Sequence, residues 1–113
     1  MKTIIAYIRP AALERVAETL KAIDGLSGMS VMEVEGFGRG GGEGCRDGHS
    51  DEVTWFCKRL RIELMVCEAI FREVVEAIRE SAWVGEHGEG KIYVLDLVEA
   101  VRIRTNERGE AAV

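Results

Sequence analysis

A glycine-rich turn around residue 88 has the composition of an anion-binding loop. In "VGEHGEGK" (residues 84–91), Gly85, Gly88 and Gly90 allow backbone N–H groups to approach an anion closely, and Lys91 adds a positive charge. The spacing is not that of a full P-loop, and such a run more often forms a turn that enters a strand. From the pattern alone, a phosphate-binding turn and a simple surface turn both stay open.

Two arginines further along the chain could add positive charge to such a site. Arg102 and Arg104 in "RIRT" are two residues apart, so in an extended segment both would project from the same face. Paired surface arginines are more often solvated than bound to a ligand. The spacing makes them candidates for phosphate binding and nothing more.

A second glycine-rich stretch, residues 36–59, carries side chains that could bind a metal ion. Its sulfur, imidazole and carboxylate groups belong to Glu43, Cys45, His49, Asp51 and Cys57. Thiolate and imidazole ligands favour zinc, copper or a similar ion, but the C-x3-H-x7-C spacing matches no compact zinc motif. Alternatively, Cys45 and His49 are polar loop residues and Cys57 is a small apolar residue at a strand edge.

Composition and charge narrow the classes of protein. The chain has 113 residues, of which 47% are hydrophobic and 31% charged, which suits one small domain that is neither disordered nor membrane-spanning. A net charge of −5 argues against nucleic-acid binding, which needs a basic face. Three cysteines suit a reducing compartment and no signal-peptide pattern is present, so we expect a cytoplasmic protein. No nucleophile, base and acid stand together, so we expect no enzyme.

Hydrophobic periodicity divides the chain into two halves with the same plan. Amphipathic helical patterns cover residues 11–23 and 68–82, and Pro10 fits the first turn of the first helix. Strand patterns cover residues 2–9, 29–38, 59–66 and 91–97, with a possible short strand at 100–105.

This order of elements predicts an α+β fold. Two strand–helix–strand units form a ferredoxin-like βαββαβ sandwich, with an antiparallel four-stranded sheet, both helices on one face, and a single domain over residues 1–113. The other face would carry the apolar side chains of Tyr7, Met32, Val34, Met65, Tyr93 and Leu95. A sheet with two apolar faces and helices on one usually buries the second face against another subunit, so we expect a homo-oligomer.

The sequence resembles the P-II signal transduction proteins over nearly its whole length. The resemblance is carried by "MKTIIAYIRP" at the start, "GMSVMEVEGFGR" (28–39), "GEHGEGKIYV" (85–94) and "EAVRIRTNERGEAAV" (99–113), all in the family's order and spacing. It implies a homotrimer that binds ATP or ADP, with AMP as an alternative ligand, in clefts between subunits. It also implies that the long loop between the second and third strands, the T-loop at about residues 38–58, contacts target proteins.

The resemblance also implies which residues bind the nucleotide. They are Ser30, Gly36, Phe37, Gly38, Arg39, Gly88, Glu89, Gly90, Lys91, Arg102 and Arg104. Ser30 stands where a threonine commonly contacts the adenine. The glycine turn and Lys91 of one subunit would hold the phosphates together with the two arginines of its neighbour.

Departures inside the T-loop limit how far the family role transfers. Gly40 stands where a glutamine coordinates magnesium in members that sense 2-oxoglutarate, and Arg59 replaces the lysine that pairs with that ligand. Glu52 stands where many bacterial members carry a uridylylated tyrosine. We therefore expect neither standard 2-oxoglutarate sensing nor uridylylation. The expected contacts with a different target are Arg46, Asp51, Glu52 and Trp55.

Two functions follow from these patterns. The first is a regulator that senses adenine nucleotides and controls a membrane transporter or an enzyme through its T-loop. The second is a metal- or small-ligand-binding regulator on the same fold, linked to heavy-metal efflux through Cys45, His49 and Cys57.

Overall fold

The structure, a computed structural model, describes residues 1–38, 56–83, 85 and 90–113. Its strands are β1 (Lys2–Ile8), β2 (Ser30–Gly36), β3 (Cys57–Val66) and β4 (Lys91–Asp96), and its α-helices are α1 (Leu13–Lys21) and α2 (Phe71–Ala82). Two 3-10 helices, Pro10–Ala12 and Gly109–Ala112, precede α1 and close the chain. The strands form one sheet in the order β2-β3-β1-β4 with antiparallel neighbours, which confirms the predicted ferredoxin-like fold.

The core lies between the helices and one face of the sheet. Every second residue is buried there from Ile4 in β1 and from Leu60 in β3, because alternate side chains of a strand point to the same side. Val16 and Leu20 of α1 and Val74 and Ile78 of α2 cover that face, each with no more than 2% of its surface exposed. The helical periodicity of the sequence therefore matches the buried side of both helices.

The opposite face of the sheet carries the six apolar residues that the sequence predicts for it. Strand register places Met65 beside Thr3, which in turn lies beside Leu95, one position out of phase with the buried Ile4 and Leu64. Met32, Met65, Tyr93 and Leu95 are 39–48% exposed, and Tyr7 and Tyr93 meet edge to face at 6.3 Å between ring centroids. No helix of the described chain covers this face; it is called the open face below.

The strand predicted at residues 100–105 is wrong. Only Val101 pairs, in an isolated antiparallel bridge with Arg108, and residues 103–105 form a turn. Asn106 adopts a left-handed conformation with φ of 62°, and its N–H donates to the carbonyl of Arg102 at 2.8 Å, which reverses the chain. Arg102 and Arg104 therefore do not project together from an extended segment.

No helix in the ranges given above has the length and apolar character needed to cross a bilayer.

Candidate functional site

A cavity of about 440 Å³ opens between the start of β2, the end of β3 and the C-terminal segment. We call it the β2–β3 pocket. It is lined by Ser27, Gly28, Met29, Ser30, Glu63, Leu64, Met65, Leu97, Glu99, Ala100, Val101, Ala112 and Val113. Ligand sites commonly have volumes in the range of about 300–1,000 Å³, so the pocket has the size of a small-molecule site.

Ser30 is the predicted site residue that lies in this pocket. It is the first residue of β2 and pairs in register with Glu63 of β3. Glu63 and Met65 share its side of the sheet, because residues two apart on a strand point the same way. Neither residue is predicted as a site residue, although the alternation of β3 and the pairing of β2 with β3 are a signal that points to both.

The C-terminal part of the pocket wall is held by Arg102. Its guanidinium lies 3.4 Å from the Glu107 carboxylate and donates from Nη2 to the carbonyl of Ala111 at 3.3 Å. Arg104, by contrast, makes no hydrogen bond or ion pair with any described residue. The sequence gives no reason to distinguish the two arginines, but the structure does. Arg102 is bound to its own chain, whereas Arg104 has no partner among the described residues.

The predicted glycine turn has a strict steric requirement at Gly90. Its φ is 109°, and a Cβ atom added there would lie 1.6 Å from the carbonyl oxygen of Tyr7. Only glycine fits so close to the β1 backbone at that φ. Lys91 follows at once, pairs in register with Tyr7, and makes no ion pair within the described chain. Gly90 thus brings an unpaired cation to the start of β4.

A smaller cavity of about 330 Å³ lies beside this turn, between β1, the end of α2 and the start of β4. Its wall is mostly apolar and includes Val75, Ile78 and Trp83, with Arg79 and Lys91 as its cations. Trp83 remains 68% exposed.

The base of the T-loop lies at the same end of the sheet as Lys91 but at the opposite edge. Gly36 ends β2 in register with Cys57, and the ring of Phe37, 72% exposed, meets Phe56 edge to face at 5.3 Å. Burial lowers the pKa of the Arg59 guanidinium, and the positive charge of Arg9 lowers it further. This end of the sheet therefore carries positive charge that would attract an anion.

A single chain does not bring the predicted phosphate-binding residues together. Lys91 and Asp96 mark the two ends of β4, roughly 17 Å apart, and the β2–β3 pocket with its C-terminal wall lies toward the Asp96 end. β2 and β4 are opposite edges of the sheet, roughly 14 Å apart across two intervening strands. One chain therefore presents two separated groups of candidate residues.

Several predicted site residues lie outside the described residues and stay predictions. They are Arg39, Gly88 and Glu89 of the nucleotide set, Cys45 and His49 of the metal set, and Arg46, Asp51, Glu52 and Trp55 of the partner set. The described ranges contain no group of three or more His, Cys, Asp or Glu side chains that could hold a metal ion. Cys57 begins β3 and is disulfide-bonded, contrary to the reduced state expected from the odd number of cysteines, so a metal would need its thiolate to be released first.

The fold and the paired glycine and arginine motifs define a class of small α+β regulatory domains, and comparison with known proteins gives the family. The family model described as Nitrogen regulatory protein P-II matches residues 1–107. The chain is 42% identical to the Nitrogen regulatory protein P-II of Rhodospirillum rubrum over 113 residues, with all of both chains covered. Those of Rhizobium etli and Haemophilus influenzae are 40% and 39% identical, again over the full length of each chain. The chain belongs to the P-II family of nitrogen regulatory signal transduction proteins.

Proposed function

We propose that this protein is a cytoplasmic homotrimer that binds ATP or ADP between its subunits and regulates a transporter or an enzyme through the T-loop. AMP is an alternative ligand in the proposal. The observation that carries the proposal is the separation of the candidate residues within one chain. Two half-sites at opposite sheet edges become useful only when the edge of one copy meets the other edge of the next.

The open face supports assembly from identical subunits. Met32, Met65, Tyr93 and Leu95 on this face are 39–48% exposed in the single chain, where a comparable stripe on the other face is buried. Apolar surface of this kind commonly marks a protein–protein interface, and closed ring symmetry lets every copy bury the same face.

The half-sites suggest how the nucleotide would lie. The adenine would enter the β2–β3 pocket of one subunit beside Ser30, within reach of the C-terminal arginines of that same chain. The Gly90–Lys91 turn of the neighbour would close on the phosphates. Arg104, which is unpaired in the described chain, and Lys91 would supply charge-assisted hydrogen bonds to phosphate oxygens.

Regulation in this protein would depend on nucleotide occupancy without two of the family's usual inputs. Gly40 offers no side chain to a magnesium ion, and Glu52 cannot be uridylylated as a tyrosine is. The ligand would therefore act by favouring one arrangement of the T-loop over others, which a target protein then reads.

Titration calorimetry with ATP, ADP and AMP tests the proposal on the wild type and on Arg104→Ala. We expect sub-millimolar binding to the wild type and about tenfold or more weaker ATP binding to the variant, since a hydrogen bond to a charged group contributes about 1.5–3 kcal/mol. Lys21→Ala is the matched control, because Lys21 in the last turn of α1 is a cation that lines neither cavity. Failure of the wild type to bind any adenine nucleotide would overturn the proposal.

Sedimentation of the wild type tests the assembly independently of the ligand. A single species with the mass of three chains supports the inter-subunit site. A monomer at concentrations well above those used for calorimetry contradicts it, because one chain holds the half-sites apart.

A further inference from the structure

Arg102 is bound to its own chain in a way that competes with a ligand. Nη1 faces the Glu107 carboxylate at 3.4 Å, and Nη2 donates to the carbonyl of Ala111 at 3.3 Å. Both acceptors are oxygens, as the oxygens of a phosphate group would be. The guanidinium has a limited number of donor directions, so these contacts and a bound phosphate exclude one another in part.

The Glu107 carboxylate is fixed in place by its surroundings. Its Oε1 atom also accepts a hydrogen bond from Thr105 Oγ1 at 2.8 Å, and the Glu107 N–H donates back to that hydroxyl at 3.3 Å. The backbone closes the same turn, since Arg102 N donates to the Glu107 carbonyl at 2.9 Å. Glu107 therefore occupies a defined position against Arg102 and does not sample the surface at random.

The second contact of Arg102 connects it to the β2–β3 pocket. Ala111 belongs to the C-terminal 3-10 helix (Gly109–Ala112), and the two residues that follow it, Ala112 and Val113, form part of the pocket wall. Among the described residues, the other bonds from residues 109–113 to the rest of the chain run from Gly109 N to the Ala100 carbonyl at 3.0 Å and, as a long contact of 3.9 Å, from Cys67 Sγ to the Glu110 carbonyl. Arg108, directly before this tail, pairs with Glu99. Arg102 is thus a tether between the turn and the pocket wall.

We propose that Glu107 is a positioning residue that holds Arg102 on the C-terminal tail, and that a phosphate group of the bound nucleotide displaces it and loosens the tail. The inference rests on the proposed function, since it concerns the same ligand. Arg102 and Glu107 side chains are 49% and 43% exposed, and ion pairs of such exposure are weak. A multiply charged phosphate group therefore exchanges with Glu107 readily.

The expected consequence is a coupling between phosphate binding and the pocket wall. Arg104 has no comparable partner in the described chain and would bind phosphate without displacement. Arg102 would bind phosphate only after its release from the tail, so Glu107 lowers the affinity for phosphate. The order of the tail would then depend on whether phosphate is bound.

Glu107→Gln tests this with Glu110→Gln as the matched control. Both variants remove one negative charge from the last seven residues, but the Glu110 side chain makes no hydrogen bond or ion pair with any described residue. We expect ATP and ADP to bind Glu107→Gln about two- to fivefold more tightly than wild type, the factor that corresponds to loss of an exposed ion pair. Adenosine, which has no phosphate, should bind both variants as it binds wild type.

Hydrogen exchange of the amides in residues 109–113 is the second measurement. In wild type, ATP should speed exchange in this segment and adenosine should not, and Arg102→Ala should exchange fast without any ligand. Equal ATP affinity for Glu107→Gln and Glu110→Gln, or slower tail exchange with ATP, overturns the inference while leaving nucleotide binding intact. Absence of ATP binding to wild type overturns the proposed function instead, so the two failures are distinguishable.

Discussion

The two faces of the sheet differ in how much of their apolar surface a single chain buries. On the helix-covered face, Ile4 and Ile62 have no exposed surface, and Leu64 has 1%. On the open face, Met65, one residue further along β3, is 39% exposed, and Leu95 is 48% exposed. The same strands thus supply a finished core on one side and unburied apolar surface on the other.

This difference separates folding from assembly. The covered face buries its side chains against α1 and α2, so its contribution is to the stability of each chain. The apolar side chains of the open face stay exposed until a second surface covers them. Their burial therefore stabilises the association of chains. Substitutions on the helix-covered face should therefore change the free energy of unfolding, and substitutions on the open face should change the oligomeric mass.

Ile62→Ala should give the largest loss of stability. Ile62 is fully buried at the centre of β3, and shortening a buried isoleucine to alanine costs about 2–5 kcal/mol through lost burial and a residual cavity. Urea denaturation of the wild type and the variant measures this cost. Ile103→Ala is the control, because Ile103 is 99% exposed and its truncation should change the free energy of unfolding by less than about 0.5 kcal/mol. A loss for Ile62→Ala no greater than for Ile103→Ala would contradict the assignment of the core.

Gly90→Ala should give the next largest loss of stability. The strained φ alone should lower the free energy of unfolding by about 1–3 kcal/mol, and the clash should lower it further. The added Cβ would meet the Tyr7 carbonyl oxygen at 1.6 Å, so β4 must shift away from β1 to admit it. Gly85→Ala separates the two causes, since Gly85 also has a positive φ of 79° but open space around its Cβ position. Thermal unfolding of both variants checks the order. If Gly85→Ala is as destabilising as Gly90→Ala, the close approach to Tyr7 is not what requires glycine.

Leu95→Glu should change assembly more than folding. Leu95 lies on the open face in register with Thr3, where its side chain is 48% exposed in the single chain. A carboxylate there should move the sedimentation equilibrium toward single chains, while the unfolding free energy of the dissociated chain should change by only about 0.5 kcal/mol. Glu35→Gln is the control, because Glu35 lies on the other side of β2. An unchanged oligomeric mass for Leu95→Glu would show that the open face is not the interface.

Local patterns predict most of this fold because they repeat. The alternation of β3 and the helical spacing of α1 and α2 each recur several times within one element, so a single exception does not hide them. The open-face residues follow from the same alternation once the helices are assigned to the other side. The wrong strand at residues 100–105 has the same origin: Val101 and Ile103 alternate with two arginines, but the left-handed Asn106 and the Arg102–Glu107 contacts fold the segment into a turn.

The site is less predictable because it depends on distant parts of the chain. Ser30 was found only through resemblance to a family, and the pocket wall formed by Ala112 and Val113 has no signal in its own residues. What brings the C-terminus to the start of β2 is the path of the segment after β4, which begins with Leu97 N donating to the Met1 carbonyl at 3.1 Å. Such long-range placement leaves no local periodicity to detect.

The smallest effect should come from the charged cluster at the end of the sheet, which belongs to neither apolar face. Lys2 Nζ bonds to Asp96 and lies 3.5 Å from Glu68, which also accepts from the Met1 ammonium at 3.1 Å. The hydrogen bond from Lys2 lowers the pKa of Asp96 below its usual 3.8, and that from the Met1 ammonium lowers the pKa of Glu68 below its usual 4.5. The hydrogen bond to Asp96 raises the pKa of Lys2 above its usual 10.5.

The directions of these pKa shifts determine the pH range in which the cluster stabilises the protein. A carboxylate with a lowered folded-state pKa stabilises the protein above its unfolded-state pKa, and the contribution is lost as pH falls through the lower folded-state value. Lys2, with a raised pKa, contributes below 10.5 and loses its contribution as pH rises through the higher folded-state value. Asp96→Asn should therefore lower the urea midpoint slightly at pH 7, and this deficit should shrink as pH falls through the lowered folded-state pKa of Asp96. Asp24→Asn is the control, since Asp24 forms no ion pair in the described chain. A deficit of Asp96→Asn that stays constant as pH falls would mean that lost packing, and not the ion pair with Lys2, accounts for it.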